Sequence, residues 1–258
     1  MANDAAAAGT VTIGGDLAVN RMGFGAMRIT GPSAWGPPSG RDRAIAALRR
    51  AADLGVNFID TADSYGPGVS EELITEALHP YQGDLVIATK GGLARPVGDI
   101  RQVVSVASVQ NRYNAADRWS EEIVDLCESE GIAFLPWAPM HEAARLPPVV
   151  GAARLLGVGP EQVALAWLLG RSPQVVLIPG SGWAEHVAAN IAAASLELAS
   201  RRRTRPADPA AGRDAKSAAG PVVAAEGRAL HCEYLSRPSA QQAPTQSAFS
   251  RGKAQCSL

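Results

Sequence analysis

Cysteine is scarce in this chain. The three present, Cys127, Cys232 and Cys256, have neither metal-ligand spacing nor the even number of a disulfide framework. That usage fits a reducing, cytoplasmic compartment, and Cys127, on a predicted helix, reads as a core residue. Histidine is scarce too, at four, and no His/Cys/Asp cluster has ligand spacing, so no metal is expected. Charge of one sign is lacking: the formal net charge is −1, which gives no electrostatic case for nucleic acid or a membrane surface as partner. No apolar run approaches the roughly 18 residues of a membrane-spanning helix. The opening MANDAAAAGT lacks the basic region and apolar core of a secretory signal. What is present is an apolar fraction of 47% in 258 residues, ample for the core of one large domain or two small ones.

Residues 1–10 are Ala-rich and expected to fray. Val11 to Val19, with Gly14-Gly15 between two apolar-polar alternations, predicts a hairpin. A Gly-containing strand follows over 21–27, where glycine permits close approach of backbone or ligand. A helix is predicted from about Asp42 to Leu54, with Ile45, Leu48 and Ala52 on one face and Gly55 as its stop. Strand 56–60, a short helix Glu71–Leu78 capped by Ser70, and strand 85–90 come next. This βαβαβ rhythm is that of a parallel sheet with covering helices. It breaks over 91–105. Strands return at 106–110, 132–137 and 175–178. Helices are expected from Glu121 to about Ser129, capped by Ser120, then over Pro148–Leu156, Pro160–Leu169 and Ala184–Leu198. From residue 199 to 258 the composition turns to Arg, Ala, Pro, Ser and Gln without periodicity, which predicts a disordered, low-complexity tail.

Chemistry concentrates in Asn57-Phe58-Ile59-Asp60-Thr61-Ala62-Asp63-Ser64-Tyr65-Gly66. Asp60 stands where a strand should end, Tyr65 in the loop beyond it, and Lys90 at the end of the next strand. A free tyrosine, with a pKa near ~10, is a poor acid at neutral pH. A neighbouring ammonium favours the phenolate, and a carboxylate can hold that ammonium in place, so the trio suits a proton-donating tyrosine. On local pattern alone the same residues also fit a loop acid and a strand-end lysine facing water.

FIDTADSYG (58–66), VIATKGG (86–92), SVQNRYN (108–114), FLPWAPM (134–140), IPGSG (178–182) and IAAASLEL (191–198) resemble the aldo-keto reductase family, in the family's order, over about residues 10–198. The resemblance implies a TIM (β/α)8 barrel preceded by an N-terminal hairpin, with its active site at the C-terminal ends of the strands. It implies NADPH as cofactor and a small aldehyde or ketone as substrate. Tyr65 would donate the proton, supported by Lys90 and Asp60. It carries cofactor roles to Met27 and Asp60 on the nicotinamide ribose side and to Gln110 near the carboxamide. Trp137 takes the ring-stacking position. Ala138, Pro139 and Met140 line the pyrophosphate path, and Gly180, Ser181 and Asn190 hold the adenosine phosphate end. Trp183 stands where a residue near the adenosine ribose phosphate is expected, which leaves the NADP-versus-NAD preference open.

Two departures stand out. The family's fourth catalytic residue is a histidine on the strand after the lysine strand, and that strand and the next have no counterpart. Six barrel strands remain, over 21–27, 56–60, 85–90, 106–110, 132–137 and 175–178. A TIM barrel typically takes about 250 residues, against the roughly 190 that are family-like here, so two βα units are expected to be missing. His141, after strand 132–137, is the histidine best placed to substitute; a plain loop histidine is the alternative. The second departure is the tail at 199–258, which resembles no family terminus. Three readings follow: a reductase with an incomplete catalytic group, a non-catalytic NADPH-binding scaffold, or a fragment without function.

Overall fold

The computed structural model describes residues 4–94 and 106–198, together with the backbone of two later strands, Leu230–Ser236 and Lys253–Ser257. Strands β1 (Thr10–Ile13) and β2 (Leu17–Asn20) form an antiparallel hairpin with Thr10 opposite Asn20. The preceding segment does not fray where it is described. Ala5–Ala8 is a 3-10 turn whose first residue is fully buried and donates its N–H to the Leu54 carbonyl at 2.8 Å, and the Asp4 carboxylate accepts from the Ala6 N–H. Small side chains let this turn press against the end of the first long helix, which the composition alone does not reveal.

The barrel strands follow as β3 (Phe24–Gly25), β4 (Phe58–Ala62), β5 (Val86–Ala94), β6 (Ser108–Arg112) and β7 (Ala133–Trp137). β3, β4 and β5 pair in parallel, as do β6 and β7. Val175–Leu177 closes the circle between β7 and the start of β3. Phe134 and Val175 form one parallel bridge, and Met22 and Leu177 the other. The Arg21 guanidinium secures this seam by donating to the carbonyls of Leu169, Ser172, Val175 and Ala8. The sequence-based expectation of six barrel strands is corrected by β8 (Leu230–Ser236) and β9 (Lys253–Ser257), which stand between β5 and β6. β8 is antiparallel to β5 and to β9, while β9 runs parallel to β6. These segments lie in the stretch read as a disordered tail, and at these residues that reading is also corrected. The physical reason is edge pairing: the unsatisfied N–H and C=O groups along β5 and β6 are a template for any chain segment that reaches them. A hairpin filling a gap two strands wide must set one strand against the barrel's direction, and here that strand is β8. The rest of 199–258 lies outside the described residues, as does 95–105.

Period-2 alternation divides the core. Phe58, Val86, Ala88, Ala133, Leu135 and Val176 cluster with Val11, Ile13 and Val19 of the hairpin, which plugs one end of the barrel interior. Their neighbours Ile59, Ile87, Phe134, Val175 and Leu177 face outward and pack with the helices. Those helices are α1 (Arg41–Asp53), α2 (Val69–Leu78), α3 (Glu121–Glu130), α4 (Pro147–Leu156), α5 (Pro160–Leu169) and α6 (Ala184–Ala192). α1 buries Ala44, Ile45, Ala47, Leu48 and Ala51, a small-residue face that lets it sit close to the sheet. Proline in the first turn starts α4 and α5 where its missing N–H costs nothing. Gly131 ends α3 with φ of 67°, a conformation open to glycine at no steric cost.

Two capping expectations change. Ser70 lies inside α2, whose N-cap is Gly68, and its hydroxyl shares a 2.7 Å hydrogen bond with the buried Thr61 hydroxyl. Ser120 does precede α3, but its side chain does not cap it. Instead its oxygen accepts from Asn111 Nδ2 at 3.4 Å. In both cases a buried partner on a strand outcompetes the helix end. The last helix also stops sooner than expected, at Ala192, and a 3-10 turn, Ala193–Ser195, follows.

Outside the barrel, the fully buried Tyr113 ring stacks on Trp167 and meets Phe134 edge-on. Its hydroxyl donates to Glu121 Oε2 at 2.7 Å, and Arg171 Nε donates to Glu121 Oε1 at 2.8 Å. Burial first, and the Glu121 carboxylate second, push the Tyr113 phenol up to about 12. Burial opposes the charge on Glu121, but hydrogen bonds from Arg118 and Tyr113 and the charges of Arg118 and Arg171 outweigh it and hold the carboxyl down to about 2.

Candidate active site

The alternation that builds the core also places the polar residues. Asp60 follows Phe58 by two positions and Lys90 follows Ala88 by two, so both continue the inward-facing rows at the C-terminal ends of β4 and β5. Gln110 on β6 lies on the same face by alternation with the outward Val109, and Trp137 follows the inward Leu135. The barrel thereby gathers side chains that the sequence spreads over eighty residues.

Lys90 Nζ donates to both carboxylate oxygens of Asp60 at 2.8 Å. The side chains are 12% and 5% exposed respectively, so the pair is nearly excluded from water. The ammonium also stands 5.3 Å from the Tyr65 ring centroid. Tyr65 itself is half-buried in the turn between β4 and α2, where its N–H is bonded to the Ala62 carbonyl. The acid, phenol and ammonium expected together are together. Behind them, Thr89 Oγ1 donates to Glu71 Oε1 at 3.0 Å. Burial raises the Glu71 carboxyl above its usual range, the Thr89 bond opposes the rise, and the Asp63 charge adds to it.

The cofactor candidates divide into three groups. Met27, Gly180 and Ser181 line a cavity of about 400 Å³ between the start of α1 and the loop after Leu177. Gln110 is buried at the inner face of β6, while the Trp137 indole is 47% exposed beneath the Arg112 guanidinium, 5.7 Å from its centroid. Ala138, Pro139 and Met140 form the turn after β7. Ala138 has a φ of 53°, and its carbonyl accepts from Asn114 Nδ2 at 2.9 Å, which ties that turn to the end of β6. Asn190 is buried in α6 and does not line the cavity. Among histidines, His141 is 59% exposed and faces Glu142, so it is a loop histidine. His186 Nδ1 lies 3.3 Å from Ser181 Oγ, and His79 meets the Tyr81 ring.

Sequence reasoning missed Arg28 and Arg43, which line the same cavity as Met27 and Ser181. Arg43 had a legible signal. It lies in the first turn of α1, where the helix dipole disfavours a cation. The close contact of two glycines also belongs to this end of the barrel: a Cβ on Gly25 would stand 2.5 Å from the Ile178 carbonyl oxygen, and one on Gly180 would run into the Gly25 carbonyl. Among the described residues no group of His, Cys, Asp and Glu could hold a metal ion, and no helix is long and apolar enough to cross a membrane.

The family model described as Aldo/keto reductase family matches residues 21–102. An uncharacterized oxidoreductase of Schizosaccharomyces pombe is 36% identical over 272 residues, a match covering 76% of this chain and 88% of the relative. The pyridoxine 4-dehydrogenase of Escherichia coli is 32% identical over 264 residues, covering 71% and 92%. Among solved structures, an aldo-keto reductase from Klebsiella pneumoniae in complex with NADPH has a TM-score of 0.59 at 21% identity, covering 73% of this chain and 90% of that one. The glycerol dehydrogenase of Gluconobacter oxydans reaches 0.61 at 18% identity, covering 77% and 92%. The sequence relatives and the shared barrel agree with the motifs along β4, β5 and β6: this chain belongs to the aldo/keto reductase family.

Proposed function

We propose that this chain is an NADPH-dependent reductase of small aldehydes or ketones in the cytoplasm. The observation that carries the reading is the Asp60–Lys90–Tyr65 arrangement, with Lys90 Nζ 2.8 Å from both Asp60 oxygens and 5.3 Å from the Tyr65 ring centroid. The residues present fit the cofactor. The cavity near Met27 and Gly180 holds two arginines and no acid, as an anionic group requires, and the exposed Trp137 indole offers a face for stacking. Met27, Asp60, Gln110 and Trp137 would hold the nicotinamide end. Ala138, Pro139 and Met140 would follow its pyrophosphate, and Gly180 and Ser181 the adenosine phosphate. When bound, the cofactor supplies the hydride.

The chain's own residues handle the proton. Tyr65 donates its hydroxyl proton to the carbonyl oxygen as negative charge develops there. The Lys90 ammonium stabilises the phenolate left behind, and Asp60 fixes the ammonium in position. Their low exposure strengthens these interactions, because little water screens them. A buried free thiol, Cys127, pushed up to about 12 by burial, is inert and suits a reducing compartment.

Turnover is expected to be slow. In the resemblance the fourth catalytic residue is a histidine from a βα unit that this chain lacks. The S. pombe alignment supports the loss: it runs over 272 positions while using 76% of this 258-residue chain, about 196 residues, so about 76 positions of the relative face a gap. Among the described side chains, His141 faces Glu142, His186 faces Ser181 and His79 meets the Tyr81 ring. Loss of a positioned acid–base group typically costs about 10²–10⁴-fold. A non-catalytic NADPH-binding scaffold is the reading at the limit of that loss.

The deciding experiment is an NADPH titration of the purified protein, following cofactor fluorescence and the thermal melt together, then carbonyl turnover with Tyr65→Phe as control. Saturable binding, a raised melt and turnover abolished by Tyr65→Phe support the reductase. Binding with turnover that Tyr65→Phe leaves unchanged removes Tyr65 from the chemistry. Binding without any turnover leaves the scaffold, and no binding ends both readings.

A further inference from the structure

The cavity beside Met27 contains two positive charges, Arg28 and Arg43, and no carboxylate among its lining residues. Neither guanidinium forms an ion pair with an acid among the described residues. Arg28 is exposed, whereas Arg43 is half-buried and held in place. Its Cζ lies 4.1 Å from the centroid of the Trp183 ring. The guanidinium also lies against Gly40, where a Cβ would stand 3.1 Å from Arg43 Cζ. Stacking on an indole satisfies the cation's face and leaves its N–H edge free to bind, which is how arginine recognises phosphate. The Trp183 backbone N–H donates to Ser181 Oγ at 3.2 Å, which ties the backbone of the residue that carries Arg43 to the loop lining the same cavity.

Resting on the proposed cofactor reading, we infer that Arg43, held against Trp183 and Gly40, selects the phosphorylated form of the dinucleotide by binding the phosphomonoester on its adenosine ribose. The selecting charge then comes from the first turn of α1, across the cavity from the loop after Leu177. This also gives Trp183 a role. A residue with no charge of its own holds the charge that discriminates.

The test measures affinity directly. NADPH and NADH are titrated against the full chain by cofactor fluorescence, and adenosine 2′,5′-bisphosphate and AMP by calorimetry. Wild type, Arg43→Ala and Arg43→Lys are compared, with thermal melts as a folding control. Losing a charge-assisted bond to phosphate should weaken NADPH and the bisphosphate by about 10- to 100-fold in Arg43→Ala, with NADH and AMP unchanged. Arg43→Lys should fall between, since it keeps the charge and loses the stacked fork. Equal weakening for phosphorylated and unphosphorylated ligands, or none for either, overturns the role of Arg43 and leaves the cofactor reading intact. A cooperatively folded wild type that binds neither dinucleotide overturns the reading and this inference with it.

Discussion

Removing the Asp60 carboxylate tests whether the barrel interior depends on an ion pair. At 2.8 Å and an effective dielectric of about 20, the attraction is about 6 kcal/mol. Desolvating the two ions offsets most of that, because each loses several kcal/mol of hydration. The pair as a whole therefore contributes little net stability, while either partner without the other is costly. Asp60→Leu leaves an ammonium that is 12% exposed without its carboxylate, at a cost of about 3–5 kcal/mol, or a fall of about 6–20 °C in Tm for a chain of this size. Lys90→Met should cost a similar amount. Asp60→Leu combined with Lys90→Met should return to within about 2 kcal/mol of wild type, because apolar side chains replace both ions. Urea unfolding of the four proteins gives the coupling energy directly. Additive losses in the double variant, or single variants within about 1 kcal/mol of wild type, would refute the argument that these charges are coupled and desolvated.

Gly180→Ala should destabilise by at least about 1–3 kcal/mol, as read by the melt, because its methyl meets the Gly25 backbone rather than a side chain that can rotate away. Gly151→Ala should act oppositely: it lies inside α4 with nothing within 4 Å of the new methyl, and a gain of about 1 kcal/mol in urea unfolding is expected. Glu121 sets an acid limit. Its folded pKa of about 2 lies below the 4.5 of the unfolded chain, so its stabilisation is full above about pH 4.5 and is lost as the pH falls toward 2. After discounting for partial exposure this amounts to about 1–2 kcal/mol, and Glu121→Gln should flatten the stability profile over that window.

The barrel and its Asp60–Lys90–Tyr65 cluster are legible because they rest on short-range rules. Period-2 alternation fixes which side chains point inward, and a strand's end fixes the face on which they emerge, so Asp60, Lys90 and Gln110 could be placed from sequence. Ser70 could not, since its choice between the helix end and the Thr61 hydroxyl depends on a strand nine residues away in sequence but adjacent in space. Arg43 carried a signal, a cation in a helix's first turn, whose meaning depended on Trp183, 140 residues later. The strands at 230–236 and 253–257 lack a strong pattern of their own. Their conformation is set by the edges that they pair with, and an edge is a property of the folded barrel.

That arrangement has a consequence for synthesis. β5 pairs with β8 across some 140 residues of chain, so the edges of β5 and β6 find their partners only after residues 230–257 have left the ribosome. Until then the nascent protein carries an open sheet, and the growing chain depends on its own late arrival, or on a chaperone, to keep those edges from pairing with a neighbour's.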